Sequence, residues 1–302
     1  MGELAVCVFF IVSGYLVTRS LDQRRSMAAF AAARCLRLFP GLAACVLLAV
    51  FVLGPALTPL ELRAYFGSGE TWTHLVENIV LFKGVAYTLP GVFAGNPYPS
   101  VVNGSLWSLP YEAGAYVLTA LLSVAGRRAR AVILLLSLAL LADMASPSLR
   151  LVSETRAMLL ASYLTGATAW HFGWQGSRRC WGVVAGLGLA AAATAGFGVT
   201  IPLRLVALAL GVLAFGLGFT MGREPPADIS YGLYLYGFPV QQSLMTFMAF
   251  NPWQLAAASL LCLLPLAWLS WMCVERPALK QRGALAAVLR RPLQRLRAAS
   301  PP

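Results

Sequence analysis

Nine apolar runs, each close to the length that crosses a bilayer as a helix, leave this chain few folds to choose from. They fall at about 4–20, 38–54, 105–125, 131–145, 157–173, 180–199, 203–221, 229–249 and 253–273. A hydrocarbon core about 30 Å thick takes roughly 20 helical residues, and within it each backbone N–H and C=O must find its partner inside the segment. The expected fold is therefore all-α, a polytopic transmembrane helical bundle of about nine spans. Composition agrees, since 59% of the 302 residues are hydrophobic and 11% are charged, against about 25% charged in soluble domains. No stretch reads as a separate soluble domain, so residues 1–277 form one membrane domain and 278–302 a basic tail.

The formal charge of +12 would suit a nucleic-acid partner, but its distribution points elsewhere. Lys and Arg gather in short blocks beside the apolar runs, as they do in cytoplasmic loops. With the 21–37 joint inside, eighteen of the 23 Lys and Arg residues are cytoplasmic, and Arg63, Lys83, Arg150, Arg156 and Arg204 lie outside. That bias puts the carboxyl terminus in the cytoplasm and the amino terminus outside. An outside start with no helix before it inserts awkwardly, which leads to the expectation of a further helix upstream of Met1. The arginines of the tail suit anionic lipid headgroups, at about 1 kcal/mol each. The six cysteines lie in or beside apolar runs and form no Cys-x-x-Cys pair, so neither a disulfide framework nor a zinc site is expected.

Four constellations stand out from this background. Arg34 and Arg37 are three residues apart on one helix face, where a guanidinium fork can grip phosphate; an ordinary positive-inside anchor has the same pattern. The stretch NGSLWSLPYE, residues 103–112, carries Glu112 into the start of an apolar run behind Pro110. An ionisable group there costs roughly 2.5 kcal/mol or more, which makes it a functional candidate unless it simply reaches water. Ser105, Ser108 and Glu112 form a polar stripe, and Trp107 and Tyr111 are interfacial aromatics. The span from Asp228 holds Tyr231, Tyr234, Tyr236, Pro239, Gln241 and Gln242, an unusual polar load for one helix. Ser13-Gly14 reads as a close-packing device. His74 in the outer loop and His171 at an inner helix end read as surface or interfacial histidines, and no metal-ligand spacing is present.

Taken in order, FFIVSGYLVTRSL, RCLRLFPGL, FVLGPALTPLELRAYF, LPGVF, NGSLWSLPYE and DISYGLYLYGFPVQQ resemble the acyltransferase 3 family of bacterial integral membrane O-acyltransferases. The resemblance runs from residue 3 to about 277. It implies a multi-pass protein of the bacterial cytoplasmic (inner) membrane that moves an acyl group, often acetyl, from cytoplasmic acyl-CoA to a hydroxyl of a glycan or lipid-linked saccharide. Membrane lipids, acyl-CoA and that acceptor are the implied partners, with neither metal nor nucleic acid.

Residue by residue, Arg34 and Arg37 match the family's Arg-x-x-Arg, implied to serve the CoA phosphates or to hold the catalytic helix. Glu112 matches the acid of Trp-Ser-Leu-x-x-Glu, implied to position a partner or an acceptor hydroxyl, with Trp107 and Ser108 in the same motif. Tyr231 and Tyr234 match the tyrosine motif, implied to line the acyl or acceptor path. Glu275 matches an acid closing the last helix, implied to be structural and to pair with an arginine. The family's Arg and general-base His belong to a helix before FFIVSGYL, so the resemblance also implies a first helix upstream of Met1, and a chain without it would be inactive. Where many members have a His before the late Phe-Pro, this chain has Gly237. The competing class is a non-enzymatic polytopic protein, such as a transporter, a flippase-like component or a degenerate remnant. It would account for two histidines that offer no evident base.

Overall fold

A computed structural model describes residues 2–24, 26–146, 151–174, 178–218 and 227–298. Met1, Arg150 and Arg223, expected in an outer loop and an inner joint, and the last four tail residues lie outside the described residues. Those described are helical, with no strand among them. The chain runs through α1 (Gly2–Arg24), α2 (Met27–Leu48), α3 (Gly54–Leu57), α4 (Leu62–Gly67) and α5 (Gly69–Val80). After a long irregular stretch come α6 (Leu109–Val124), α7 (Ala129–Ala145), α8 (Glu154–His171), α9 (Arg178–Ala193) and α10 (Thr200–Gly218). Then follow α11 (Ser230–Phe247), α12 (Pro252–Ser270), α13 (Arg276–Lys280) and α14 (Arg282–Ala298).

Every one of the nine apolar runs falls on a helix. Among the described residues, four helical stretches are long and apolar enough to cross a membrane: Glu3–Gln23, Met27–Leu57, Thr200–Gly218 and Pro252–Lys280. The second and fourth gain their length from π-helical turns at Ala49–Leu53 and Trp271–Glu275, which continue α2 and α12 without a break. The remaining five runs fall short of that standard for two reasons. α6, α7 and α9 have 16, 17 and 16 residues, and at about 1.5 Å per residue each is a few ångströms shorter than the bilayer core. α8 and α11 reach 18 residues but carry polar side chains such as Glu154, Arg156, Tyr231 and Gln242.

The chain divides into two compact units. The first comprises Met1–Met27 and Tyr111–Glu224. Its core is the contact between α1 and α8, which is as close as backbone permits. A Cβ on Gly14 would stand 1.9 Å from the Tyr163 carbonyl oxygen, and one on Gly166 would stand 2.1 Å from that of Ile11. Without a hydrophobic drive between helices in lipid, small residues that admit such approach supply the packing. The Ser13-Gly14 pair is that device. Ile11, Tyr15, Ala169, Ala209 and Leu213 bring α10 onto the same core.

The second unit comprises Ala28–Pro110 and Pro225–Pro302. Here α2 carries Arg34 and Arg37 and α11 the tyrosine motif, and α3 to α5 with residues 81–103 form an elaborate loop. In α5 the buried side chains are the polar ones, Thr71, His74 and Asn78, while Trp72, Val76 and Val80 are exposed. That inverts the arrangement of a soluble helix and suits apolar surroundings. The loop holds its shape through side chains acting as backbone. Asn78 donates to the Ala86 carbonyl at 2.8 Å and accepts from the Ala86 amide at 3.1 Å. Tyr65, fully buried, donates to the Val50 carbonyl at 2.9 Å. Burial pushes the Tyr65 phenol up to about 12.

Candidate active site

The described polar side chains of the second unit gather at both ends of α11. At one end is Arg37, whose Nη2 lies 2.9 Å from Asp228 Oδ2 and whose Nη1 lies 3.5 Å from Glu275 Oε2. Its guanidinium also sits over the Tyr231 ring, 5.4 Å from the centroid. Tyr231 in turn donates to the Leu38 carbonyl at 2.8 Å. Gly41 makes room for that ring, since a Cβ there would meet Tyr231 Cε1 at 3.0 Å. Glu275 is buried and accepts from Ser270 Oγ at 3.0 Å. One arginine thus joins α2, α11 and the end of α12 through two carboxylates and an aromatic face. The expected pairing of Glu275 with an arginine is realised with Arg37. Arg34, one turn earlier on α2, is half-buried, with its guanidinium 5.8 Å from the Phe30 ring centroid.

One turn further along α11, Tyr234 meets the NGSLWSLPYE segment. Its hydroxyl is 2.7 Å from Ser108 Oγ and also donates to the Ser105 carbonyl. The segment is seated by Asn103, which caps the short 3₁₀ turn Gly104–Ser108 by accepting from the Ser105 amide at 3.1 Å. The same side chain donates to the Leu235 carbonyl at 2.9 Å. Trp107 belongs to this turn. Two of the sequence motifs, remote along the chain, therefore share one hydroxyl pair. Beyond Pro239, Gln242 is fully buried and donates to the Tyr98 and Val101 carbonyls, both at 2.7 Å. Asn96 donates to the Gln242 carbonyl at 2.8 Å. Between α2, α11 and α12 lies a cavity of about 300 Å³ with walls that include Cys45, Ala49, Tyr236, Pro239 and Leu266.

Glu112 belongs to the first unit, near the start of α6. It is buried, and its carboxylate accepts from the Tyr116 hydroxyl one turn along.

The residues match a known family over 1–272, a length that holds all of these positions except Glu275, and the family is described as an acyltransferase domain. The chain belongs to the acyltransferase 3 family. It is an acyltransferase of membrane-protein type. Among curated proteins it is similar to an O-acetyl transferase of Shigella phage Sf6, 29% identical over 301 residues, covering 91% of this chain and 84% of the relative. It is also similar to nodulation protein 10 of Rhizobium leguminosarum bv. viciae, 29% identical over 313 residues, covering 93% and 83%. No solved structure matches.

Several residues at these positions were not singled out from the sequence as site candidates. Asp228 opens the tyrosine motif and is the nearest partner of Arg37; an acid at a helix start facing an arginine block was the available signal. Ser270 and Asn96 gave no signal, because a lone small polar residue in or beside an apolar run is common, and Asn103 was visible only as the first residue of NGSLWSLPYE. His74 departs from its expected surface position. It is 1% exposed, and its Nδ1–H donates to the Thr88 carbonyl at 3.0 Å. Burial lowers its basicity to a pKa of about 4.

Proposed function

We propose that this acyltransferase acts on oxygen, moving an acyl group, most simply acetyl, from cytoplasmic acyl-CoA to a hydroxyl of a glycan or lipid-linked saccharide. The chain would sit in the bacterial inner membrane with about nine spans, its short helices tilting little, and with its carboxyl terminus in the cytoplasm. The name of the phage relative supports O-acetyl transfer. The observation that carries the reading is the Ser108–Tyr234 hydroxyl pair, which joins the two motifs on which the family resemblance most depends.

In this reading the two hydroxyls line the path of the acyl or acceptor group, with the Trp107 indole forming part of its wall. Tyr231 backs the same path from one turn away, over Arg37. Glu112, buried beside Tyr116 near the start of α6, orients an acceptor hydroxyl. Of the arginine pair, Arg37 is engaged by two carboxylates and is proposed to hold helix ends together, whereas Arg34 is proposed to meet the phosphates of the donor. The resemblance assigns the general base to a helix before FFIVSGYL, and no residue described here is given that role.

The test is transfer of radiolabelled acetyl from acetyl-CoA to cell-envelope saccharide by the protein in nanodiscs. Tyr234→Phe removes one hydroxyl at nearly constant volume and is expected to lower the transfer rate by about tenfold, the scale of one lost hydrogen bond in a dry site. Parent-like transfer in folded Tyr234→Phe would reject the hydroxyl pair as part of the path.

A further inference from the structure

The first unit holds a cavity of about 950 Å³ that none of these roles uses. Thr18, Asp22 and Ser26 line it from α1 and the residues just after it, Thr119 from α6, Arg130 from α7 and His171 from α8. Its walls come from the ends of four helices, and its size exceeds what a single water or ion needs. Two of its polar groups are buried without a hydrogen bond. Thr18 is 4% exposed and its hydroxyl makes no hydrogen bond. The His171 side chain is 8% exposed, and its Nδ1 makes none either, lying 3.8 Å from Asp22 Oδ2. Buried polar atoms are satisfied in the great majority of cases, so two orphans facing one cavity mark a place built for something else to bind.

The charges narrow the class of ligand. Asp22 is already occupied, accepting from Trp170 Nε1 at 2.8 Å and facing the imidazole. Arg19 lies over the Trp170 ring, 5.7 Å from the centroid. Arg130 stands in the first turn of α7, where the helix end itself favours an anion. The carbonyl ends of α1, α6 and α8 oppose this, while Arg19, next to the lining Thr18, and Arg128, two residues before Arg130, add positive charge beside the lining residues. A hydroxyl, an imidazole nitrogen and a guanidinium converging on a roomy polar cavity are the donor set for phosphate oxygens.

We propose that this cavity binds a phosphate ester, with Arg130, Thr18 and His171 holding its oxygens. Two sources share that chemistry: the nucleotide end of a CoA thioester and the headgroup of an anionic phospholipid. The site shares no residue with the Ser108–Tyr234 pair, and only the CoA source rests on the acyltransferase reading.

The experiment uses the full chain in nanodiscs. Coenzyme A is titrated in phosphatidylcholine discs, and in parallel the retention of phosphatidylglycerol is followed by native mass spectrometry. Arg130→Gln is expected to weaken binding of one probe by about tenfold, the scale of a lost charge-assisted contact. Thr18→Val, which removes the hydroxyl at constant volume, is expected to weaken the same probe by about threefold and decides the matter if Arg130→Gln does not fold. Leu122→Trp, which fills the cavity, should abolish that binding. An effect confined to coenzyme A identifies a nucleotide source, and one confined to phosphatidylglycerol a lipid source. If folded variants bind both probes like the parent, or the parent binds neither, the proposal is overturned. Acetyl transfer is measured separately, so its loss with intact probe binding rejects the acyltransferase path and not this site.

Discussion

Removing the Arg37 side chain isolates what the ion-pair cluster does. Arg37→Ala leaves Glu275, 2% exposed, facing no positive charge. Breaking a buried pair from one side costs about 3–5 kcal/mol. Two observations place this case at the low end: Arg37 is 26% exposed, and its 3.5 Å separation from Glu275 exceeds that of a tight charge-assisted bond. A loss of about 2–3 kcal/mol is expected from Glu275. Asp228 is 46% exposed, so its share is under about 1 kcal/mol. Adding Glu275→Gln removes the stranded charge and should recover roughly half of the loss, since most of it is the cost of an unpaired carboxylate. Reversible unfolding in mixed micelles measures these differences, and the Michaelis constant for acetyl-CoA is taken on the same preparations. The cluster's role as a clamp predicts a large stability loss with partial rescue. Unchanged stability, no rescue and a Michaelis constant raised about tenfold would refute it and make Arg37 a donor ligand.

Three further outcomes are expected. His74 has a native pKa of about 4, below its ordinary 6.5, so the folded loop binds its proton less readily than the unfolded chain. The stabilisation, up to about 3 kcal/mol, is complete above pH 6.5 and is lost as pH falls toward 4. Hydrogen exchange in α5 should quicken over that window, and His74→Leu should remove the pH dependence; parent-like acid sensitivity in that variant would exclude His74 as its source. Gly14→Val forces α1 away from the Tyr163 carbonyl and should cost at least about 2 kcal/mol, read as lost monodisperse protein; near-parent stability would mean that α1 and α8 pack differently. Gln242→Leu frees the Tyr98 and Val101 carbonyls, about 1–3 kcal/mol each, and should open residues 96–103 to proteolysis while α11 persists.

The helices were legible because hydrophobic length is a property of each segment alone, and all nine runs became helices. How many of them are long enough to cross was less legible, because polar load and the exact helix ends decide it. α8 reads as apolar from residue 157, yet its first turn holds Glu154 and Arg156. For the site, the motif positions Tyr231, Tyr234 and Ser108 could be picked out because tyrosines and paired serines are costly in apolar helices. Their mutual contacts could not, since Ser108 and Tyr234 are joined across 126 residues. The same holds for Arg37. A spacing of three residues shows that two arginines share a helix face, but only the packing of α2 against α11 and the end of α12 supplies the carboxylates. His74 was misjudged because a histidine in a polar loop gives no sign that the loop has an interior.

The attachment of α11 at both ends has a mechanical meaning. Tyr231 and the Asp228–Arg37 contact moor its start, Gln242 moors the 96–101 loop to its far half, and about 16 Å of helix lies between. Pro239 interrupts the hydrogen-bond ladder in that interval, so bending concentrates just short of Gln242 while the tyrosine-bearing half moves as a stiff rod. A saccharide that displaces the 96–101 segment would pull on this rod and shift Tyr234 against Ser108. The loop is thereby a handle on the hydroxyl pair, and substitutions in it that touch no substrate should alter turnover.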